Sequence, residues 1–242
     1  MSGELVRREE VGELVGRLSD SGLDGRERGR LLARLAALLA GGARAAGAKA
    51  ALPGRYLADV VAELAPSVQV RDLPTLRAQH GGLTGDELAD ALVRSAALAT
   101  AGVGAAGGAL AAVQHAAPPS LLVAPVQLAA ETVAVVATEL KLVAELHVVY
   151  GRAPLGPAPD LAAAYLHSWA SRTPVALGTT PDLAVVLSAA ARLQLRRRVT
   201  RRLARNVSTM APFLAGAVAG AELNRRETRS LAEQLIEALR RR

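Results

Sequence analysis

PPSLLVAPVQLAAETVAVVATELKLVAELHVVYG, residues 118–151, is the stretch on which the fold turns. It is the longest strongly apolar segment of the chain, yet Glu131, Glu139, Lys141 and Glu145 recur along it. Pro125 suits a first helical turn, where its missing N–H costs nothing. The 26 residues from Pro125 to Tyr150 would make about 39 Å of α-helix at 1.5 Å per residue. Plotted at 100° per residue, Gln127, Glu131, Thr138 and Glu145 fall on one polar line, with Lys141 beside it and Glu139 on the other side. The rest of the circumference is Val, Leu and Ala. This pattern predicts a central helix over about 125–150, buried on most sides, with a polar seam at Glu131, Thr138 and Glu145. Buried carboxylates need partners, and the nearest cations in the sequence are Arg94 and the Arg-rich C-terminus.

Upstream, the 36 residues between Arg94 and Glu131 carry no formal charge. That length raises the question of a membrane span, which needs about 20 apolar residues. Ser95–Ala117 is mostly Ala and Gly, so its transfer into lipid gains little, and spanning is not expected. Gly102, Gly104 and Gly107 spell GxGxxG, but no strand precedes them and no acidic residue closes a following strand. A dinucleotide site requires that context. Small residues at Gly104 and Gly108, and later at Gly216 and Gly220, instead predict helices in close approach.

Toward the N-terminus, Val11, Leu14, Val15 and Leu18 mark one face of a short amphipathic helix ending at Ser19–Gly22. Asp24 with Glu27 three residues later reads as a capping box opening a second helix, closed by Gly41–Gly42. Residues 43–53 are Ala/Gly-rich, which divides the chain into an N-terminal helical segment, 1–45, and a main domain, 54–242. A helix over 55–64 stops at Pro66, Asp72 caps a short helix through His80, and Gly81–Gly82 ends it. Thr84 with Glu87 opens the long Ala/Gly-rich helix. The N-terminus is acidic and amphipathic, unlike a secretory signal.

Downstream, Asp160 is placed to cap a helix through about Ala170, and another begins at Pro181. Arg198, Arg201, Arg202 and Arg205 lie at i, i+3, i+4 and i+7 on that helix, one cationic stripe. Pro212–Leu223 reads as a short buried helix, residues 224–229 as its polar exit, and 228–242 as a last helix. From Arg192 onward there are 13 Arg against four Glu, a net +9, whereas residues 1–191 hold 16 basic and 18 acidic groups, a net −2. A solvated face is the simplest reading of such a stripe; the other is contact with an anionic membrane surface. No Phe, Tyr or Trp interleaves it to stack bases, which argues against nucleic acid.

The chain has no cysteine, which removes disulfides and thiol catalysis and fits a reducing cytoplasm. His80, His115, His147 and His167 stand in different segments with no HExxH or i, i+4 pairing, so neither a metal nor any other cofactor is expected. No GxSxG elbow places a nucleophile. His147 and Tyr150 read as packing residues, each with one hydrogen bond at a helix end.

The run from Leu83 to Gly151, with VQLAAET and ATELKLVAELHVVYG, resembles a family of actinobacterial helical proteins. PFLAGAVAGAELNRRETRSL, with Pro212, Gly216, Gly220 and Asn224, is similar to the closing motif of the EcsC-like group. The resemblance covers roughly residues 55–240 and brings no catalytic residues with it. It implies a helical fold and association with membranes or membrane-linked systems.

Together these readings predict an all-α multi-helix bundle with Ala/Gly-rich packing helices around the central one. The expected role is non-enzymatic, in the cytoplasm or peripheral at the inner face of the cell membrane, with an anionic lipid surface, a protein partner or a second copy as partner. Two alternatives stand beside it: a soluble scaffold, and an enzyme using Glu131, Glu139 and Glu145 as acid/base groups or metal ligands.

Overall fold

The structure, a computed structural model, describes residues 2–46, 53–116, 123–174, 193, 196, 197, 199–201 and 215–241. These residues are helical almost throughout and contain no strand, so the fold is an all-α bundle with a central apolar helix. The main helices are α1 (Ser2–Leu18), α2 (Gly25–Ala46), α3 (Pro53–Leu64), α4 (Leu73–Gln79), α5 (Gly85–Ala116), α6 (Val123–Val149), α7 (Ala158–Ser171) and α8 (Ala215–Arg241). A 3-10 turn, Ala65–Ser67, follows α3 around Pro66.

Capping chemistry sets several of these boundaries. Asp24 Oδ1 accepts from the Arg26 and Glu27 backbone N–H groups at 2.8 and 2.9 Å, opening α2. Glu27 does not complete the box; its carboxylate pairs with Arg17 of α1. Asp72 caps α4 by accepting from the Thr75 N–H at 2.9 Å, and Gly81 and Gly82 leave it at φ of 65° and 83°. Asp160 does not cap α7 as expected: the helix starts at Ala158, so Asp160 lies inside its first turn, and the capping residue is Pro157, which offers no side-chain bond.

Two expected boundaries are displaced. Helix α2 runs through Gly41 and Gly42 to Ala46, because glycine in a helix lowers stability by only about 0.5–1 kcal/mol and packing outweighs it. The helices expected over 212–223 and 228–242 are a single helix, α8, from Ala215 to Arg241. The polar run at 224–229 contains neither Pro nor Gly to stop it. Asn224 and Thr228, one turn apart, are buried against other helices rather than released to solvent.

Helix α6 is the hub, touching α1, α2, α3, α5, α7 and α8. Val133, Ala134, Val135 and Val136 are successive residues and all are buried, so no face of the helix is wet over that turn. Val11, Leu14 and Leu18 of α1 and Leu31, Leu32 and Leu35 of α2 enter the same apolar cluster as Val133 and Leu146 of α6 and Leu231 and Leu235 of α8. Burying each such side chain contributes on the order of 1.5–3 kcal/mol. This core, rather than the helices' own propensities, holds the bundle together.

Helices α5 and α8 make the most extensive pairing in the fold. At its centre the backbones touch: a Cβ built on Gly104 would lie 2.4 Å from the Gly220 carbonyl oxygen, and one on Gly220 would lie 2.9 Å from that of Gly104. Residues 85–110 of α5 form a helix long and apolar enough to cross a membrane, with mean hydropathy 1.2 and half of its apolar window buried inside the fold. The core helix of a soluble bundle meets the same description.

Candidate functional site

The polar residues of α6 are the natural place to look for chemistry, because each carboxylate there must be matched by a neighbour. The three carboxylates, Glu131, Glu139 and Glu145, are met in three different ways.

Near the N-terminal end of α6, Gln127 Nε2 donates to the Gly107 carbonyl of α5 at 2.6 Å and reaches Glu131 Oε1 at 3.4 Å. The Glu131 carboxylate lies directly over Gly107, in the space a Cβ there would fill. No cation faces it among the described residues. Burial pushes its pKa up from 4.5 to about 7, and the Gln127 hydrogen bond opposes the rise. Side-chain oxygen Oε1 of Gln127 is buried with no partner among the described residues.

At mid-helix, Thr138 donates back to the Ala134 carbonyl at 2.9 Å, and its hydroxyl lies 3.0 Å from that of Ser19, just past the end of α1. On the opposite side of α6, Glu139 is 1% exposed. It accepts from Trp169 Nε1 of α7 at 2.9 Å and from the Thr228 hydroxyl of α8 at 3.1 Å. Thr228 meets the Thr100 hydroxyl of α5 at 2.9 Å, and Asn224 Nδ2 donates to the Thr100 carbonyl at 3.2 Å. A polar chain from α7 to α8 to α5 thus passes through one buried carboxylate.

Near the C-terminal end, Glu145 is buried and held by Arg71, which comes from the segment between the 3-10 turn and α4. Arg71 Nε and Nη2 donate to the two carboxylate oxygens at 2.7 and 2.8 Å, a bidentate pair, while Nη1 reaches Gln79 Oε1 at 2.5 Å. Glu145 holds the guanidinium pKa above its usual value. Arg94, one cation expected to serve the seam, is exposed on α5 instead. His147 is fully buried; its Nδ1 lies 2.7 Å from the Val143 carbonyl, and Ser168 Oγ is 3.4 Å from Nε2. Burial lowers its pKa, so it is a packed core histidine with both ring nitrogens near a hydrogen-bond partner, one more than expected. Tyr150 donates to Asp86 at 2.7 Å, also at the helix end.

The residues Glu131, Thr138 and Glu145 therefore share a line on α6 but not a site, since they face α5, α1 and the Arg71 segment respectively. Gly104 and Gly220 do meet, at the α5–α8 crossing. Gly108 lies on α5 and is half-buried, and Gly216 lies in the first turn of α8. Of the cationic stripe, Arg201 is helical and exposed, whereas Arg198, Arg202 and Arg205 fall outside the described residues. Among the described residues no group of three His, Asp or Glu comes together to hold a metal ion.

Sequence reasoning misses one further group, Arg28 of α2, which is 2% exposed. Its Nη1 donates to the Leu18 and Ala99 carbonyls at 2.8 and 3.2 Å, and its Nη2 to those of Asp20 and Leu23 at 2.8 and 3.2 Å. The cation sits at the C-terminal end of α1, where the helix dipole favours positive charge. Gly102 makes room: a Cβ there would lie 2.6 Å from Arg28 Nε. Desolvation lowers the guanidinium pKa.

No family model, no curated protein and no solved structure matches this chain.

Proposed function

We propose that this chain is a non-enzymatic helical protein that associates with a membrane, meeting an anionic lipid surface from the cytoplasmic side through the arginine-bearing segment around residues 196–205. One observation carries the reading. Val199 is fully buried in the core, while Arg197 and Arg201, two residues to either side, are exposed. Val199 anchors the described part of this segment, and Arg197 and Arg201 stand exposed on it. Each such cation near an anionic surface contributes about 1 kcal/mol of attraction. The apolar helix α5, with Leu98 60% exposed, adds an apolar surface, and the resemblance of residues 55–240 to the EcsC-like group points the same way. The carboxylates Glu139 and Glu145 are taken up by structural hydrogen bonds, which favours a binding role over acid/base chemistry.

Sedimentation with phosphatidylcholine vesicles, with and without phosphatidylglycerol, tests this. Binding should require the anionic lipid, fall at high salt, and weaken in an Arg197→Glu, Arg201→Glu variant. Protein that stays in the supernatant with anionic vesicles at low salt overturns the reading. A second reading, a soluble scaffold pairing with a protein or a second copy, is favoured by Val218, which projects from α8 at 71% exposure. A concentration-dependent homo-oligomer in the absence of lipid, dissociated by Val218→Glu, would support it.

A further inference from the structure

Helix α6 presents Leu140, Ala144 and Val148, successive turns of one face, to a space its neighbours do not fill. The segment 65–72 and helix α7, with Leu161 and Tyr165, border a half-open cavity of about 390 Å³ there. Small-molecule sites commonly enclose about 300–1,000 Å³. Volume alone does not make a site; the polar groups on the wall decide what it could hold.

Tyr165 is 8% exposed and lines this space, and its hydroxyl is not among the buried polar atoms left without a partner. The hydroxyl is not sealed from solvent, so water can serve it in the cavity, and a ligand oxygen would take that water's place. Burial raises its pKa above 10.0, so it remains a protonated donor. Arg71 lines the same space. Three of its five N–H hydrogens go to Glu145 and Gln79, leaving two, while Glu145 cancels its charge. The wall therefore offers donors without net positive charge. At the rim, Asp72 contributes a carboxylate, and Val70 an exposed apolar side chain.

We propose that this cavity binds a neutral, mostly apolar small molecule bearing one hydroxyl or carbonyl, whose oxygen meets the Tyr165 hydroxyl and the remaining Arg71 N–H groups. A carboxylate ligand would add a charge that Arg71, already matched by Glu145, does not balance, and would bring it close to Asp72. A plain hydrocarbon would displace water from the Tyr165 hydroxyl without replacing its hydrogen bond.

The test uses the full chain and the neutral fluorophore N-phenyl-1-naphthylamine, displaced by decan-1-ol or by decanoate at pH 8. Saturable fluorophore binding is expected, with decan-1-ol displacing it at least tenfold more effectively than decanoate. Ala153→Trp, on the loop that borders the cavity, should weaken fluorophore binding at least tenfold without changing the far-UV melting curve. Tyr165→Phe should weaken decan-1-ol by about fivefold, the worth of one neutral hydrogen bond. Non-saturable binding, equal displacement by alcohol and carboxylate, or unchanged affinity in a folded Ala153→Trp variant overturns the assignment. Should Ala153→Trp not fold, the alcohol affinity of Tyr165→Phe decides: unchanged affinity rejects the site.

Discussion

Arg71 and Glu145 are 74 residues apart in sequence, yet two parallel hydrogen bonds of 2.7 and 2.8 Å join them at the edge of the core. The carboxylate is almost wholly buried, while the guanidinium keeps 28% of its side chain exposed. Removing the cation alone leaves a buried carboxylate uncompensated. Arg71→Met should lower unfolding free energy by about 3 kcal/mol, and Arg71→Met with Glu145→Leu should recover most of the loss, as read from urea midpoints. Equal destabilisation in the single and double variants would refute this account.

The α5–α8 crossing predicts a contrast between two glycines three residues apart. A methyl at Gly104 meets the Gly220 backbone oxygen, which cannot move without moving α8. Overpacking of about 1–3 kcal/mol outweighs the 0.5–1 kcal/mol that alanine gains in a helix. At Gly107 the obstruction is the Glu131 carboxylate, the far end of a flexible side chain. Gly104→Ala should lower Tm by several degrees, and Gly107→Ala by clearly less, in thermal scans followed by circular dichroism.

Glu131 predicts a pH dependence. Its pKa is about 7 in the folded protein against 4.5 in a free chain, so between those values the folded state holds more protons than the unfolded state. Stability must then fall as pH rises from about 4.5 to about 7 and level off above it. The size is on the order of 3–4 kcal/mol at most. Glu131→Gln should flatten this portion of the curve and be the more stable protein at pH 8, measured as the difference between wild-type and variant urea midpoints at pH 5 and pH 8.

Arg28 predicts that a conservative change is not conservative. Lysine has one ammonium centre and cannot span the four carbonyls from Leu18, Asp20, Leu23 and Ala99 that the guanidinium fork reaches. Arg28→Lys should cost about 1–3 kcal/mol, and Arg28→Met at least as much, in denaturant unfolding. An Arg28→Lys protein as stable as wild type would show that the carbonyls are served without the fork.

Local chemistry was the legible part of this sequence. Asp24 and Asp72 cap helices because their partners lie within three residues, and the apolar run of α6 announces a buried helix because Val and Leu occupy most of its circumference. Long-range partners were not legible. Glu145 pairs with Arg71 rather than with Arg94, and nothing within a few residues of Arg71 distinguishes it from the chain's other arginines. Arg28 is hidden for the same reason, standing between Arg26 and Arg30 on an arginine-rich helix. The polar run Asn224–Thr228 was misleading in kind: such residues usually mark a helix leaving the core, but Thr100 and Glu139 supply buried partners that let α8 continue. Trp169, the chain's one tryptophan, carried no sign that its N–H answers a carboxylate 30 residues upstream.

The four main-chain partners of Arg28 have a genetic consequence that the Arg71–Glu145 pair does not share. A damaging change at Arg71 or Glu145 has a side-chain counterpart that can mutate in turn, so second-site suppressors should arise there. Carbonyl oxygens are common to every residue and cannot be altered by substitution. A selection for revertants of Arg28→Met should therefore return the original arginine or broadly stabilising changes elsewhere, and no suppressor specific to that contact.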